Sequence, residues 1–379
     1  MQTTKYLIVG AGMTGDMAAK GIREHDADGS ITMIGADPHP PYKRPLLTKG
    51  LWQGASEEKL WREPAESVEL VTGRRIVSLD LEARTATSDA GEEYAWEKLL
   101  LATGARPRQI PGAEGVVWYR TLDDYRRVRE IAREGAHIVV IGGGFIGSEL
   151  AAGLVGTGCR VTMLFPEPGI GFRLFPAGLS TFVADYYREK GIEVLTGETV
   201  ASASGGRVET GSGTTIEADA VVAGLGVIAN TELAEAVGLE VDDGIVVDEY
   251  GRVPGREDVF AAGDVARFPV VALGTSMRIE HEDHANTHGR VVGGNMAGAG
   301  TVYDHLPFFY SDLFDLGYEA VGAVDSRLDA VESWEEPNRK GIVTYVEDGR
   351  PRGVLLWNVW GKVDAAREVL RDGEGALAV

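Results

Sequence analysis

The chain has 379 residues, enough for two or three domains at roughly 150 residues each. A hydrophobic content of 44% and a charged content of 25% are ordinary for a soluble globular enzyme, and a net charge of −21 argues against nucleic acid, whose phosphates need a basic face. The lone cysteine, Cys159, excludes an intramolecular disulfide and a Cys-x-x-Cys redox pair, and no apolar run is long enough for a membrane span.

The N-terminal MQTTKYLIVG runs straight into an apolar strand, which leaves no room for a signal peptide and points to the cytoplasm. That strand ends in a G-x-G-x-x-G turn formed by Gly10, Gly12 and Gly15, followed by a helix through DMAAKGI and a second strand, SITMIG. The first glycine permits the tight turn, the second lets backbone approach a phosphate, and the third lets helix pack on strand. The helix N-terminus then faces the pyrophosphate. An acidic residue beyond the second strand ordinarily holds ribose hydroxyls, and Asp37 is the nearest candidate.

Further along, LLLATGARP places Thr103 and Gly104 after an apolar strand. RPRQIPGAEG, stiffened by Pro107 and Pro111, marks a domain crossing. VVIGGGFIGSELA then repeats the first pattern, with Gly142, Gly144, Phe145, Ile146 and Gly147 forming the turn and Glu149 close behind. The next strand, CRVTMLF, leads to Glu167, a carboxylate that would repel a 2′-phosphate and so favour NAD over NADP. Cys159, on the turn into that strand, reads as a small buried apolar residue away from any flavin. DVFAAGDVA sets Gly263 and Asp264 after another strand, where a carboxylate could accept from flavin ribityl hydroxyls; a plain helix cap is the alternative. In EHEDHANTHG, His281, His284 and His288 share one helical face, a spacing compatible with zinc but not with His-Glu-x-x-His. From about His305 the texture changes to alternating aromatic segments, suggesting a small α+β domain.

Strands alternating with helices predict an α/β fold with parallel sheets. Two glycine turns of one spacing predict two Rossmann-like dinucleotide domains, for FAD and for a nicotinamide nucleotide. The expected division is 1–110 with 236–304 for FAD, 111–235 for NAD and 305–379 as the C-terminal domain.

These motifs resemble the two-dinucleotide flavoprotein reductases: glutathione-reductase-like enzymes, ferredoxin and rubredoxin reductases, and apoptosis-inducing factor. PYKRPLLTKGLW, residues 41–52, is similar to the Pro-Tyr-x-Arg-Pro-Pro-Leu-Ser-Lys segment of the ferredoxin reductases. LFPEPG, RIEHEDHANTHGRVVGGNMAG, SDLFDLGYEAVGAVD and KGIVTYVEDGRPRGVLLWNVW look closest to apoptosis-inducing factor. The resemblance implies a catalytic pair, Lys49 near flavin N5 and Glu149 orienting it from the first turn of its helix. Arg44 would contact the FAD phosphates, and Glu280, His281 and Glu282, at a helix opening from Ile279, would face the flavin pyrimidine. Tyr310 stands where the family usually has Trp over the flavin, and Leu46 replaces the second proline. The missing cysteine pair removes the disulfide branch.

The implied activity is hydride transfer from NADH to FAD, then electron transfer to a small iron–sulfur protein such as ferredoxin or rubredoxin, or to a small molecule. The alternatives are a slow, redox-responsive protein with NADH-controlled dimerisation, and an NADH oxidase or quinone reductase. No metal, nucleic acid or membrane is expected as a partner, and a homodimer is compatible with the family.

Overall fold

A computed structural model describes residues 1–379, and its chain separates into two compact units. The first comprises Met1–Arg44, Glu57–Arg106 and Ile228–Pro307; the second comprises Pro45–Ser56, Pro107–Val227 and Phe308–Val379. The grouping differs from the expected division by a few residues at its boundaries and, more substantially, in two segments. Residues 45–56, expected in the FAD domain, pack with the second unit, and so does the C-terminal segment.

The first unit is built on a seven-stranded sheet. Val68–Thr72, Ile31–Gly35, Gln2–Val9 and Glu93–Leu101 lie side by side in that order, all parallel. Val259–Ala261 adds a parallel strand beside Glu93–Leu101, whose N-terminal part pairs antiparallel with Thr85–Ser88. The central strands are continuous apolar runs because both faces are covered. Leu7, Ile8, Leu99, Leu100 and Ala261 are fully buried.

The helices Met13–His25 and Glu282–Met296 pack with almost no side chain between them. A Cβ on Gly21 would lie 2.0 Å from the Arg290 carbonyl, and one on Gly293 would lie 2.1 Å from that of Ala18. Glycine at both positions is what permits this backbone approach.

In the second unit, Glu193–Thr196, Arg160–Phe165, His137–Ile141, Ala220–Ala223 and Val117–Trp118 form a parallel five-stranded sheet, again almost wholly buried in its centre. The C-terminal segment is a separate antiparallel sheet of five strands followed by the helix Val363–Asp372. Its apolar face carries Tyr318, Tyr345 and Trp357, against which Phe175 packs. The expected α/β class with a small C-terminal α+β domain is what the chain adopts.

Candidate functional site

The two glycine turns are near copies. Gly10 and Gly142 sit at φ +123° and +116°, and the N-cap residues Gly12 and Gly144 share φ near −90° with ψ of −163° and −164°. A Cβ on Gly10 would collide with the Ala102 carbonyl at 2.0 Å, and one on Gly142 with that of Gly224 at 2.4 Å. Gly15 and Gly147 lie equally close to the carbonyls of Gly10 and Gly142. The middle glycines differ from these, since nothing lies within 4 Å of a Cβ on Gly12 or Gly144. Each turn is thus closed where strand and helix meet and open at the helix N-terminus, the shape that seats a pyrophosphate.

In the first unit, the carboxyl ends of the parallel strands gather the remaining expected residues. Thr103 and Gly104 follow Glu93–Leu101, and Gly263 and Asp264 follow Val259–Ala261. Thr103 Oγ1 donates to the Asn230 carbonyl at 2.8 Å, and Asn230 Nδ2 donates back to the Thr103 carbonyl at 2.8 Å. Asp37 lies just past Ile31–Gly35; its carboxylate accepts from the His39 amide at 3.1 Å and the Tyr42 hydroxyl at 2.9 Å. The Arg44 guanidinium stands 5.3 Å over the Tyr42 ring.

The helix opening expected over Ile279 to Glu282 has its first helical residue at Glu282, with His281 as its N-cap. The strand Thr275–Arg278 before it is held by pairing to Ala266–Val270. Glu280 is exposed and forms a 2.5 Å ion pair with Arg278. Burial lowers His281 to about 4, against the opposing pull of Asp264 and Asp283.

In the second unit, three segments distant in sequence converge on Glu149. Lys49 Nζ lies 3.3 Å from Glu149 Oε1, and both side chains are at least nine-tenths buried. Thr48 Oγ1 donates to Oε2 at 2.5 Å and Ser311 Oγ donates to Oε1 at 2.7 Å. The carboxylate is therefore held by two hydroxyls and an ammonium, a charge-assisted arrangement. Lys49 Nζ also donates to the Tyr310 carbonyl at 3.0 Å and sits 3.5 Å over the Tyr310 ring, with Asp312 at 3.9 Å. Burial and the Glu149 charge push the Tyr187 and Tyr318 phenols well above their ordinary value, so both stay protonated.

Glu149 does not lie in the first turn of its helix. The helix is Phe145–Gly156 with Gly144 as N-cap, so Glu149 is the fifth helical residue and no acidic residue occupies the first turn. Three donors, rather than the helix N-terminus, hold the carboxylate in place. Thr48, Ser311 and Asn230 were not among the expected residues. Thr48 precedes Lys49 and Ser311 follows Tyr310, so adjacency to a motif was the available signal.

Beside the second glycine turn, Phe145 and Ile146 pack against neighbouring residues. Phe145 meets Phe309 edge-on at 5.3 Å, and Ile146 Cβ would lie 3.1 Å from a Cβ on Gly224. Glu167 lies just past Arg160–Phe165 and pairs with the exposed Arg173 at 3.5 Å. Cys159 is buried, its Sγ 3.3 Å from Thr157 Oγ1 and 3.5 Å from the Arg133 carbonyl. It follows the C-terminal end of Phe145–Gly156, opposite that helix's glycine turn.

Two pyrophosphate-shaped turns on two parallel sheets, with a buried lysine–carboxylate pair, define a flavoprotein oxidoreductase that uses FAD and NAD(H). The chain belongs to the pyridine nucleotide-disulphide oxidoreductase family, which it matches over residues 4–289. Residues 292–339 match the C-terminal domain of mitochondrion-associated apoptosis-inducing factor. The chain is 32% identical to mitochondrial apoptosis-inducing factor 1 of Dictyostelium discoideum, over 97% of this chain and 78% of that protein. It is 34% identical to the ferredoxin–NAD(+) reductase component of the anthranilate 1,2-dioxygenase system of Burkholderia cepacia, over 98% and 95% of the two chains. Among solved structures, the covalent putidaredoxin reductase–putidaredoxin complex superposes with a TM-score of 0.90 at 28% identity, covering 98% of this chain and 94% of that one. No helix is long and apolar enough to cross a membrane.

Proposed function

We propose that this chain is a cytoplasmic NADH-dependent reductase whose electrons pass to a small iron–sulfur protein of the ferredoxin or rubredoxin type. When bound, FAD accepts a hydride from the nicotinamide and passes its electrons on. The observation that carries the reading is the buried Lys49–Glu149 pair.

In this reading Gly10, Gly12, Gly15, Asp37, Arg44, Thr103, Gly104, Gly263, Asp264 and the 280–282 turn hold FAD. Gly142, Gly144, Phe145, Ile146, Gly147 and Glu167 hold NADH. Lys49 supplies the cation that balances the negative charge arriving with the hydride. Glu149 fixes the lysine, since an ammonium on a flexible four-carbon stem needs a partner to stay in one place. Tyr310 limits the space around Lys49 with its ring. Residues 1–110 and 236–304 form the FAD domain in function, less the segment 45–56 that carries Lys49. Residues 111–235 form the NAD domain, and 305–379 supply Tyr310 and Ser311.

The match to the C-terminal domain of apoptosis-inducing factor favours a second reading, a slow redox-responsive protein whose NADH reduction drives dimerisation. One experiment separates the two. The enzyme is reduced with NADH in a stopped-flow instrument, then mixed in turn with oxygen, a quinone and ferredoxin. Rapid reoxidation by ferredoxin supports the reductase; slow reoxidation by every acceptor, with an NADH-dependent change in sedimentation, supports the second reading. Rapid reoxidation by oxygen or quinone alone identifies an oxidase or quinone reductase instead.

A further inference from the structure

The helix Glu282–Met296 carries two buried histidines that the proposed reaction does not use. His284 and His288 have no solvent exposure and lie one turn apart, with ring centroids separated by 4.7 Å. Phe268 stacks on His284 at 4.5 Å and Tyr303 packs on His288 at the same distance.

His288 Nδ1 lies 3.2 Å from the Gly263 backbone N–H, which donates to it. A nitrogen that accepts carries no proton, so the neutral ring is the Nε2–H tautomer. Burial supports this by pushing His288 down to about 3, which keeps it neutral at ordinary pH. The Nε2 atom is buried and has no partner. The ring is thus placed for its Nδ1 contact alone.

The neighbouring ring takes the other tautomer. Thr287 Oγ1 donates to the Asp283 carbonyl at 2.7 Å, so it accepts from the Tyr303 hydroxyl at 2.9 Å. Tyr303 then accepts from His284 Nδ1–H at 3.0 Å. His284 bonds Tyr303 and also lies against the Gly263 backbone, whereas His288 accepts from the Gly263 amide.

The carbonyls of the Gly263 turn are satisfied, that of Gly263 by the Ala266 N–H and that of Asp264 by Arg278, which leaves the Gly263 amide as the group His288 serves. Gly263 is at φ +73°, and a Cβ there would lie 2.2 Å from Thr14 Oγ1 in the first glycine turn's helix. Its amide is buried, and a buried amide without an acceptor is costly. We propose that His288 is a positioning residue for the FAD site: its Nδ1 fixes the Gly263 amide and so sets the left-handed turn that presents Asp264. The proposal rests on the reading of Gly263–Asp264 as an FAD contact.

The test is FAD release from purified holoenzyme, followed by flavin fluorescence on dilution, for His288→Phe, His288→Asn and Asp264→Ala. Phenylalanine fills the volume without an acceptor and should weaken FAD binding by roughly 5- to 100-fold, the worth of one buried amide left unsatisfied. Asparagine places Oδ1 near the Nδ1 position and should stay within about threefold of the wild type. Affinity for NAD+ should not change in either variant, which a general loosening of the fold would not spare.

If Asp264→Ala releases FAD and His288→Phe does not, the inference is overturned while the assignment of the turn stands. If neither variant affects FAD, the assignment of the turn fails and the inference falls with it. If His288→Phe does not fold, His288→Leu against His288→Asn decides: loss of FAD confined to leucine supports the proposal, and equal affinity overturns it.

Discussion

The two glycine-turn helices begin alike and then diverge at one residue. In Met13–His25 the acid next to the third glycine is Asp16, whose carboxylate is almost fully buried and bonds Arg62 at 2.6 Å and Lys20 at 3.0 Å. In Phe145–Gly156 the residue in that place is Ser148, and the acid comes one position later as Glu149. One residue turns a helix by about 100°, which changes what the carboxylate faces. Asp16 meets the arginine of a structural pair, while Glu149 meets Lys49, Thr48 and Ser311. A duplicated scaffold thus carries an acid in a structural pair in one copy and, in the proposed mechanism, an acid for chemistry in the other.

The sharpest way to break this contrast is to remove one member of each pair. Lys49→Ala should slow NADH-dependent flavin reduction by roughly ten- to a thousandfold with FAD still bound, the range seen for one preorganised electrostatic group. Wild-type reduction rates in a stopped-flow trace of that variant would take Lys49 out of the mechanism.

Asp16→Ala should do the reverse. Arg62 would be left largely buried and unpaired, costing about 3 kcal/mol in denaturant unfolding, while the reduction rate of the folded fraction stays within a few-fold of wild type. A large rate defect there, with stability intact, would erase the distinction between the two acids.

Nucleotide choice extends the comparison to the strand ends. Asp37 is engaged by Tyr42 and His39, whereas Glu167 has only the exposed Arg173 beside it. Glu167 should favour NADH over NADPH by about 2–4 kcal/mol in kcat/KM through repulsion of the 2′-phosphate. Glu167→Lys should shrink that gap, and equal kcat/KM for both nucleotides in the wild type would refute the assignment.

The first unit also carries a pH-dependent contribution to stability. His288 takes a proton at its ordinary value near 6.5 when unfolded but only near 3 when folded. Between those values the unfolded chain binds more protons, so stability is complete above the window and falls as pH drops through it. Burial is the cause at His288; the adjacent His284 is lowered by burial and by His288, His281 and His305. From pH 7 to pH 5 the loss from His288 should be roughly 2 kcal/mol, at about 1.4 kcal/mol per unit. Chemical denaturation of His288→Asn should show a shallower fall by that amount.

The smallest effect is expected at Cys159, which is buried at the far end of the Phe145–Gly156 helix. Cys159→Ser should leave NADH-dependent ferricyanide reduction at the wild-type rate, with no reduction of glutathione disulfide by either protein. Loss of ferricyanide reduction, with FAD bound, would return a thiol relay to contention.

Much of this architecture is local and so could be read directly from residue order. A glycine turn depends on a positive φ at Gly10 and Gly142 and on absent side chains at Gly15 and Gly147, all properties of the residues themselves. Apolar runs such as YLIV and HIVVI specify buried parallel strands by the same reasoning. The number of nucleotide turns, the fold class and the absence of a cysteine pair followed from the sequence by itself.

The partners of Glu149 required the tertiary structure. Thr48 lies 101 residues before it and Ser311 lies 162 after it, and no pattern within either segment shows that their hydroxyls meet on one carboxylate. The same holds for the amide of Gly263 and the ring of His288, 25 residues apart and joined only where two elements pack. Periodicity and turn chemistry act over a few residues, whereas a buried polar group takes whichever partner the packing of distant segments brings within about 3 Å.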